Sequence, residues 1–134
     1  MEGKCLKTLY GKGHTSRTKT GEIARGLGIP GSTATDLVRR MEAKGLVTHE
    51  KYYGVSLTPN GRARAEEIFR HHRLLEFLLV EELALSAEDA CVASGRMDEH
   101  LPKDVADVIC MKYSHPDTCP CGKELLPSSE CCPG

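Results

Sequence analysis

Between residues 20 and 44 the chain reads TGEIARGLGIPGSTATDLVRRMEAK, with apolar side chains returning every three or four positions on either side of one interruption. That spacing predicts two short helices, residues 21–27 and 32–44, split by the turn Gly28, Ile29, Pro30 and Gly31. Ile23, Leu27, Ile29, Ala34 and Leu37 fall where two such helices bury surface against each other. Ala24 is small where they cross, and Gly28 can take the left-handed conformation the turn requires. Gly45 is placed to end the second helix. Beyond it, residues 46–49 and 55–57 read as short strands around Lys51, Tyr52, Tyr53 and Gly54, which makes a β-hairpin. Thr58 followed by Pro59 is a strong helix start, with Thr as N-cap and Pro at the first helical position. That helix is expected to run to about Leu83, with Ile68, Leu75, Leu79 and Leu83 as its apolar stripe. Ser86, Ala87, Glu88 and Asp89 resemble a capping box that opens another helix, and Leu101 and Pro102 begin one more.

A recognition helix followed by a hairpin is a winged helix. Leu37, Val38 and Met41 face the core, which leaves Ser32, Thr33, Thr35, Asp36, Arg39 and Arg40 on the outer side. Small hydroxyls and free N–H groups at a helix N-terminus suit phosphate, Asp36 can accept from a cytosine amino group, and the arginines can reach guanine or phosphate. The hairpin tip adds Lys51 and the phenol of Tyr53. Charge points the same way. Residues 1–73 carry 14 Lys+Arg against 7 Asp+Glu, and residues 74–134 carry 4 against 12, so a net charge of −1 hides a basic front and an acidic rear. Basic faces gain affinity for nucleic acid by counterion release, and the expected partner is a double-stranded DNA operator.

Potential metal ligands lie in the rear half. His72 and Glu76 stand one helical turn apart on one face, a spacing that lets both reach a single divalent cation. Cys91 falls on the second turn of the following helix. Asp98, Glu99 and His100 give three more donors in a row. The tail holds Cys119, Cys121, Cys131 and Cys132, with His115 upstream; four thiolates favour zinc or an iron–sulfur cluster, whereas manganese prefers oxygen and nitrogen. Seven cysteines in 134 residues would otherwise suggest a secreted disulfide scaffold. The first residues, MEGKCLKTLY, lack the apolar core of a signal peptide, and the longest apolar stretch, residues 74–85, is broken by Glu76, Glu81 and Glu82, so no membrane segment is expected. The chain is expected to be cytoplasmic, with its thiols reduced. No cysteine pairs with a His and an orienting group in a recognisable arrangement and no phosphate-cradling glycine loop appears, so no enzyme activity is expected.

Together these pieces resemble the metal-dependent transcriptional repressors of the diphtheria toxin repressor type, which respond to iron or manganese. The matching residues are TGEIARGLGIPGSTATDLVRRMEAKGLV, then EKYYGVSLTPNGR, then HRLLEFLLVEELAL, and the Glu99–His100 pair, over roughly residues 5 to 127. The resemblance implies a mostly α fold: a winged helix-turn-helix domain (1–60), an all-helical dimerisation and metal-binding domain (61–118) and a Cys-rich tail (119–134). It also implies a homodimeric repressor whose DNA affinity depends on a metal. His72, Glu76 and Cys91 fall where the family places its ancillary metal site, with Cys91 standing where a His is usual. Glu99 and His100 match part of the primary, activating site. That site normally draws further ligands from the first helix and from the turn before Glu99, where this chain has Lys4, Lys7 and Gly95 or Arg96; Cys5 or Asp98 are the substitutes at hand. An alternative keeps DNA binding but makes the tail cysteines a redox or iron–sulfur sensor.

Overall fold

The computed structural model describes residues 1–13 and 17–113. They fall in two compact units, Met1–Ala65 and a second that starts at Glu66, with the division inside one long helix.

The first unit holds α1 (Glu2–Gly11), α2 (Thr20–Leu27), α3 (Gly31–Ala43), β1 (Val47–Glu50), β2 (Gly54–Leu57) and the opening of α4 (Pro59–Leu83). Gly28 ends α2 at φ 66° and ψ 36°, and Pro30, extended, is the N-cap of α3. Leu6, Leu9, Ile23, Ala24, Ala34, Leu37, Val38, Met41, Val47 and Val55 are buried. Leu27 and Ile29 are only half-buried, because they border the turn rather than the helix crossing. At the other end of α3, Gly45 takes φ 74°, and the Leu46 N–H reaches back to the Met41 carbonyl at 3.0 Å. This is the left-handed cap that a glycine just past a helix makes inexpensive.

β1 and β2 pair antiparallel from Val47 opposite Leu57 to Glu50 opposite Gly54. A further residue joins them: Thr18 and Val55 exchange N–H···O bonds of 2.9 and 2.8 Å. The segment before α2 therefore lies along the wing, close enough that a Cβ on Gly54 would sit 3.0 Å from the Thr18 carbonyl oxygen. Thr58 caps α4 through its hydroxyl, which accepts from the Gly61 N–H at 3.0 Å and donates to the Gly45 carbonyl.

The second unit contains the rest of α4, α5 (Ala87–Met97), a 3-10 turn (Asp98–His100) and α6 (Lys103–Lys112). α4 stops at Leu83, where Ala84 takes φ 55°. Ser86 then caps α5 by accepting from the Asp89 N–H at 3.1 Å. Leu74, Ala106, Ile109 and Cys110 form a core cluster, with Leu78, Leu101 and Tyr113 packed against it. The apolar stripe of α4 is buried at Ile68, Leu75 and Leu79, but Leu83 is 64% exposed: it is the last helical residue, beside the chain reversal. No helix among the described residues is long and apolar enough to cross a membrane.

Candidate functional site

The outer side of α3 presents Ser32, Thr33, Asp36, Arg39 and Arg40 to solvent. Thr33, Asp36, Arg39 and Arg40 line one open concavity, so two cations, a carboxylate and a hydroxyl share a single surface. Thr35 is half-buried and its hydroxyl donates to the Gly31 carbonyl at 3.0 Å, a back-bond that leaves it only acceptor capacity. Lys51, Tyr52 and Tyr53 are all exposed at the wing tip. Arg17 was not anticipated there. Its guanidinium stacks 5.5 Å from the Tyr53 ring centroid and bonds Glu50 at 3.2 Å, carried to the wing by the Thr18–Val55 bridge. Lys19, Thr20, His49, Tyr52 and Gly54 line a second concavity where α2 begins.

The second unit gathers a different chemistry. His72 Nε2 lies 2.7 Å from Glu76 Oε1 and 3.5 Å from Cys91 Sγ. Donor atoms of these three residues all lie within 4.8 Å of one another, the one such group of three or more among the described residues. His72 is 8% exposed and Glu76 is fully buried. Behind the imidazole, Nδ1 lies 3.0 Å from Asp98 Oδ2, and Asp98 is itself buried. An ionised carboxylate only accepts, so Nδ1 donates and Nε2 is the nitrogen presented to the cluster. Glu76 Oε1 also accepts from Arg73 at 2.9 Å, while Glu76 Oε2 is buried without a partner. A buried carboxylate oxygen with no donor is costly unless something cationic completes it. Nitrogen, oxygen and sulfur donors converging beside that atom therefore fit a divalent metal ion. The same contacts give Cys91 a histidine backed by a carboxylate, which the sequence did not reveal. Glu76 stands closer to Nε2 than the thiol does, an arrangement that suits a chelate better than a nucleophile and its base.

The remaining expected ligands are placed differently. Glu99 is half-buried and His100 exposed in the 3-10 turn, and neither joins a group of three donors among the described residues. Asp98 is committed to His72. Cys5 is fully buried in α1, and desolvation, with Glu2 adding to it, pushes its thiol up to about 11. A group held about two units high is roughly 100-fold poorer in thiolate near neutrality. Alkylation of the folded, ion-free protein at about pH 8, mapped by peptide mass, is expected to spare Cys5 while modifying half-buried Cys91; comparable rates at both would contradict the buried placement. Cys119, Cys121, Cys131, Cys132 and His115 lie outside the described residues.

Comparison with known proteins agrees with both halves. Residues 4–55 match the family description "iron dependent repressor, N-terminal DNA binding domain", and residues 58–127 match "iron dependent repressor, metal binding and dimerisation domain". The iron-dependent repressor IdeR of Mycobacterium leprae is 31% identical over 121 residues, covering 90% of this chain and 53% of that protein. The chain thus spans about half the length of that relative. A crystal structure of a hypothetical protein from Sulfolobus solfataricus superposes with a TM-score of 0.82 at 30% identity, covering 95% of this chain and 97% of that one. A manganese-dependent transcriptional repressor in complex with manganese superposes with a TM-score of 0.79 at 28% identity, covering 97% and 60%.

Proposed function

This chain belongs to the iron-dependent repressor family of DNA-binding transcriptional regulators, and from that membership we propose that it is a homodimeric, metal-responsive repressor rather than an enzyme. Residues 1–60 read operator DNA through Ser32, Thr33, Asp36, Arg39 and Arg40 on α3, with Lys51, Tyr53 and Arg17 on the wing against the backbone. Residues 61–118 hold a divalent transition ion on His72 Nε2, Glu76 and Cys91. The carrying observation is the buried His72–Glu76–Cys91 cluster with Asp98 fixing its imidazole and one Glu76 oxygen left without a donor.

Apolar Val105, Val108 and Met111 stand exposed along α6, a surface that a twofold mate would cover. A symmetric dimer sets two recognition helices about one turn of DNA apart, roughly 34 Å, on a palindromic site. The bound ion supplies positive charge that joins α4 to α5. It can favour DNA binding only by binding the DNA-competent arrangement better than the alternative, and DNA then raises ion affinity by the same factor. A reduced thiol ligand suits a cytoplasmic setting.

The test uses the full chain and a palindromic duplex selected from a random pool. Chelation is expected to weaken binding at least about tenfold, with the ion restoring it. Arg39→Ala and Arg40→Ala are expected to weaken binding with or without the ion, each lowering the salt slope by about 1 if it neutralises a phosphate. Equal affinity before and after chelation would remove the metal dependence while leaving the DNA reading in place.

A further inference from the structure

We infer that Cys91 makes this centre selective for a thiophilic divalent ion, of the zinc, cobaltous or ferrous kind, and poor for manganese. This rests on the metal site proposed above and adds what kind of cation it takes. Three features of the cluster favour such an ion.

The first is donor chemistry. The site offers one imidazole nitrogen, one carboxylate and one sulfur, and Asp98 withholds the second imidazole nitrogen. Manganese is served by carboxylate, carbonyl and water oxygens, whereas thiolate favours softer ions. The second is geometry. Ordinary zinc–nitrogen and zinc–sulfur bond lengths at a tetrahedral angle separate the two donors by about 3.6 Å; His72 Nε2 and Cys91 Sγ are 3.5 Å apart. Those two donors are already spaced for a small tetrahedral ion. The Glu76 side chain must yield slightly from its 2.7 Å contact with Nε2, or present Oε2, which has no other partner.

Charge is the third feature. Coordination displaces the thiol proton to solvent. Thiolate and Glu76 carboxylate then neutralise the dication, while Arg73 beside Glu76 balances Asp98 behind His72. The buried assembly is neutral as a whole, which removes the penalty for holding an uncompensated ion away from water. A neutral ligand in place of Cys91 would leave one positive charge over.

Anaerobic titration of the reduced full-length protein with cobalt(II) tests this. The expected result is a sulfur-to-cobalt charge-transfer band with ligand-field bands of tetrahedral intensity, lost in Cys91→Ser and retained when Cys119, Cys121, Cys131 and Cys132 are all changed to Ser. Zinc should displace the cobalt and manganese should not. Cys91→His should narrow the zinc-over-manganese preference, because a neutral nitrogen replaces the soft thiolate. Circular dichroism confirms that Cys91→Ser is folded. A band that survives in Cys91→Ser, or vanishes with the tail cysteines, would overturn the inference, as would manganese competing equally with zinc. Cobalt binding lost in His72→Ala but showing no sulfur band would overturn it too, while the metal site itself stood. No cation binding that depends on His72 would defeat the site and the inference together.

Discussion

Gly61→Ala is expected to destabilise the amino-terminal unit by roughly 1–3 kcal/mol. Gly61 lies buried in the first turn of α4. A Cβ there would fall directly onto the Leu46 carbonyl oxygen, 2.9 Å from the carbonyl carbon and 3.2 Å from Leu57 Cδ2. The obstacle is mostly backbone, so no rotamer change relieves it. The backbone in turn is held by Thr58, whose N–H donates to the Leu46 carbonyl at 3.1 Å and whose hydroxyl donates to Gly45. Helix propensity alone argues the other way, since alanine exceeds glycine by about 1 kcal/mol inside a helix. Denaturant unfolding followed by circular dichroism decides between them. Gly26→Ala is the control: a Cβ on Gly26 in α2 meets nothing within 4 Å, and there alanine should be neutral or stabilising. A Gly61→Ala protein as stable as the parent would show that α4 does not approach the Leu46 carbonyl so closely.

Gly61 also marks the limit of what local sequence encodes. α2, α3 and the wing were legible because their boundaries are local: Gly28 needs its left-handed turn, Pro30 cannot continue a helix, and Thr58 and Pro59 announce one. The His72–Glu76 pair was legible from helical spacing, and Cys91 from the family resemblance. Contacts set by tertiary approach were not. Gly61 reads as an ordinary early helical glycine until the Leu46 carbonyl is placed against it. Arg17 reads as a loop cation until Thr18 pairs with Val55 and brings it to Tyr53. By position alone, Asp98 is a candidate to rebuild a second metal site with Glu99 and His100. Its carboxylate instead turns back to an imidazole 26 residues earlier, a direction that no spacing rule encodes. Leu83 misled in the opposite sense, since helical periodicity continues to the end of α4 although the packing beneath it does not.

Asp98→Asn is expected to weaken the ion affinity of the His72 centre by about 10–100-fold without unfolding the protein. Asp98 would not touch the ion. It is a positioning residue: its carboxylate accepts from Nδ1, fixes the tautomer that presents Nε2, and places a negative charge behind the ring. Asparagine can still accept through its amide oxygen, but the charge is gone and a flipped amide would donate where acceptance is needed. A purely structural role predicts something else, namely lower stability of the ion-free protein with unchanged affinity. Two measurements separate the cases. Competition against a chromophoric chelator reads the affinity. Thermal unfolding with and without a fixed excess of zinc reads the ion-linked stabilisation, which a 10–100-fold weaker site would lower by about 1.4–2.7 kcal/mol. Equal stabilisation of parent and Asp98→Asn proteins would mean that the imidazole is oriented by its packing alone. In that case the 3.0 Å contact between Nδ1 and Asp98 would serve the fold and not the ion.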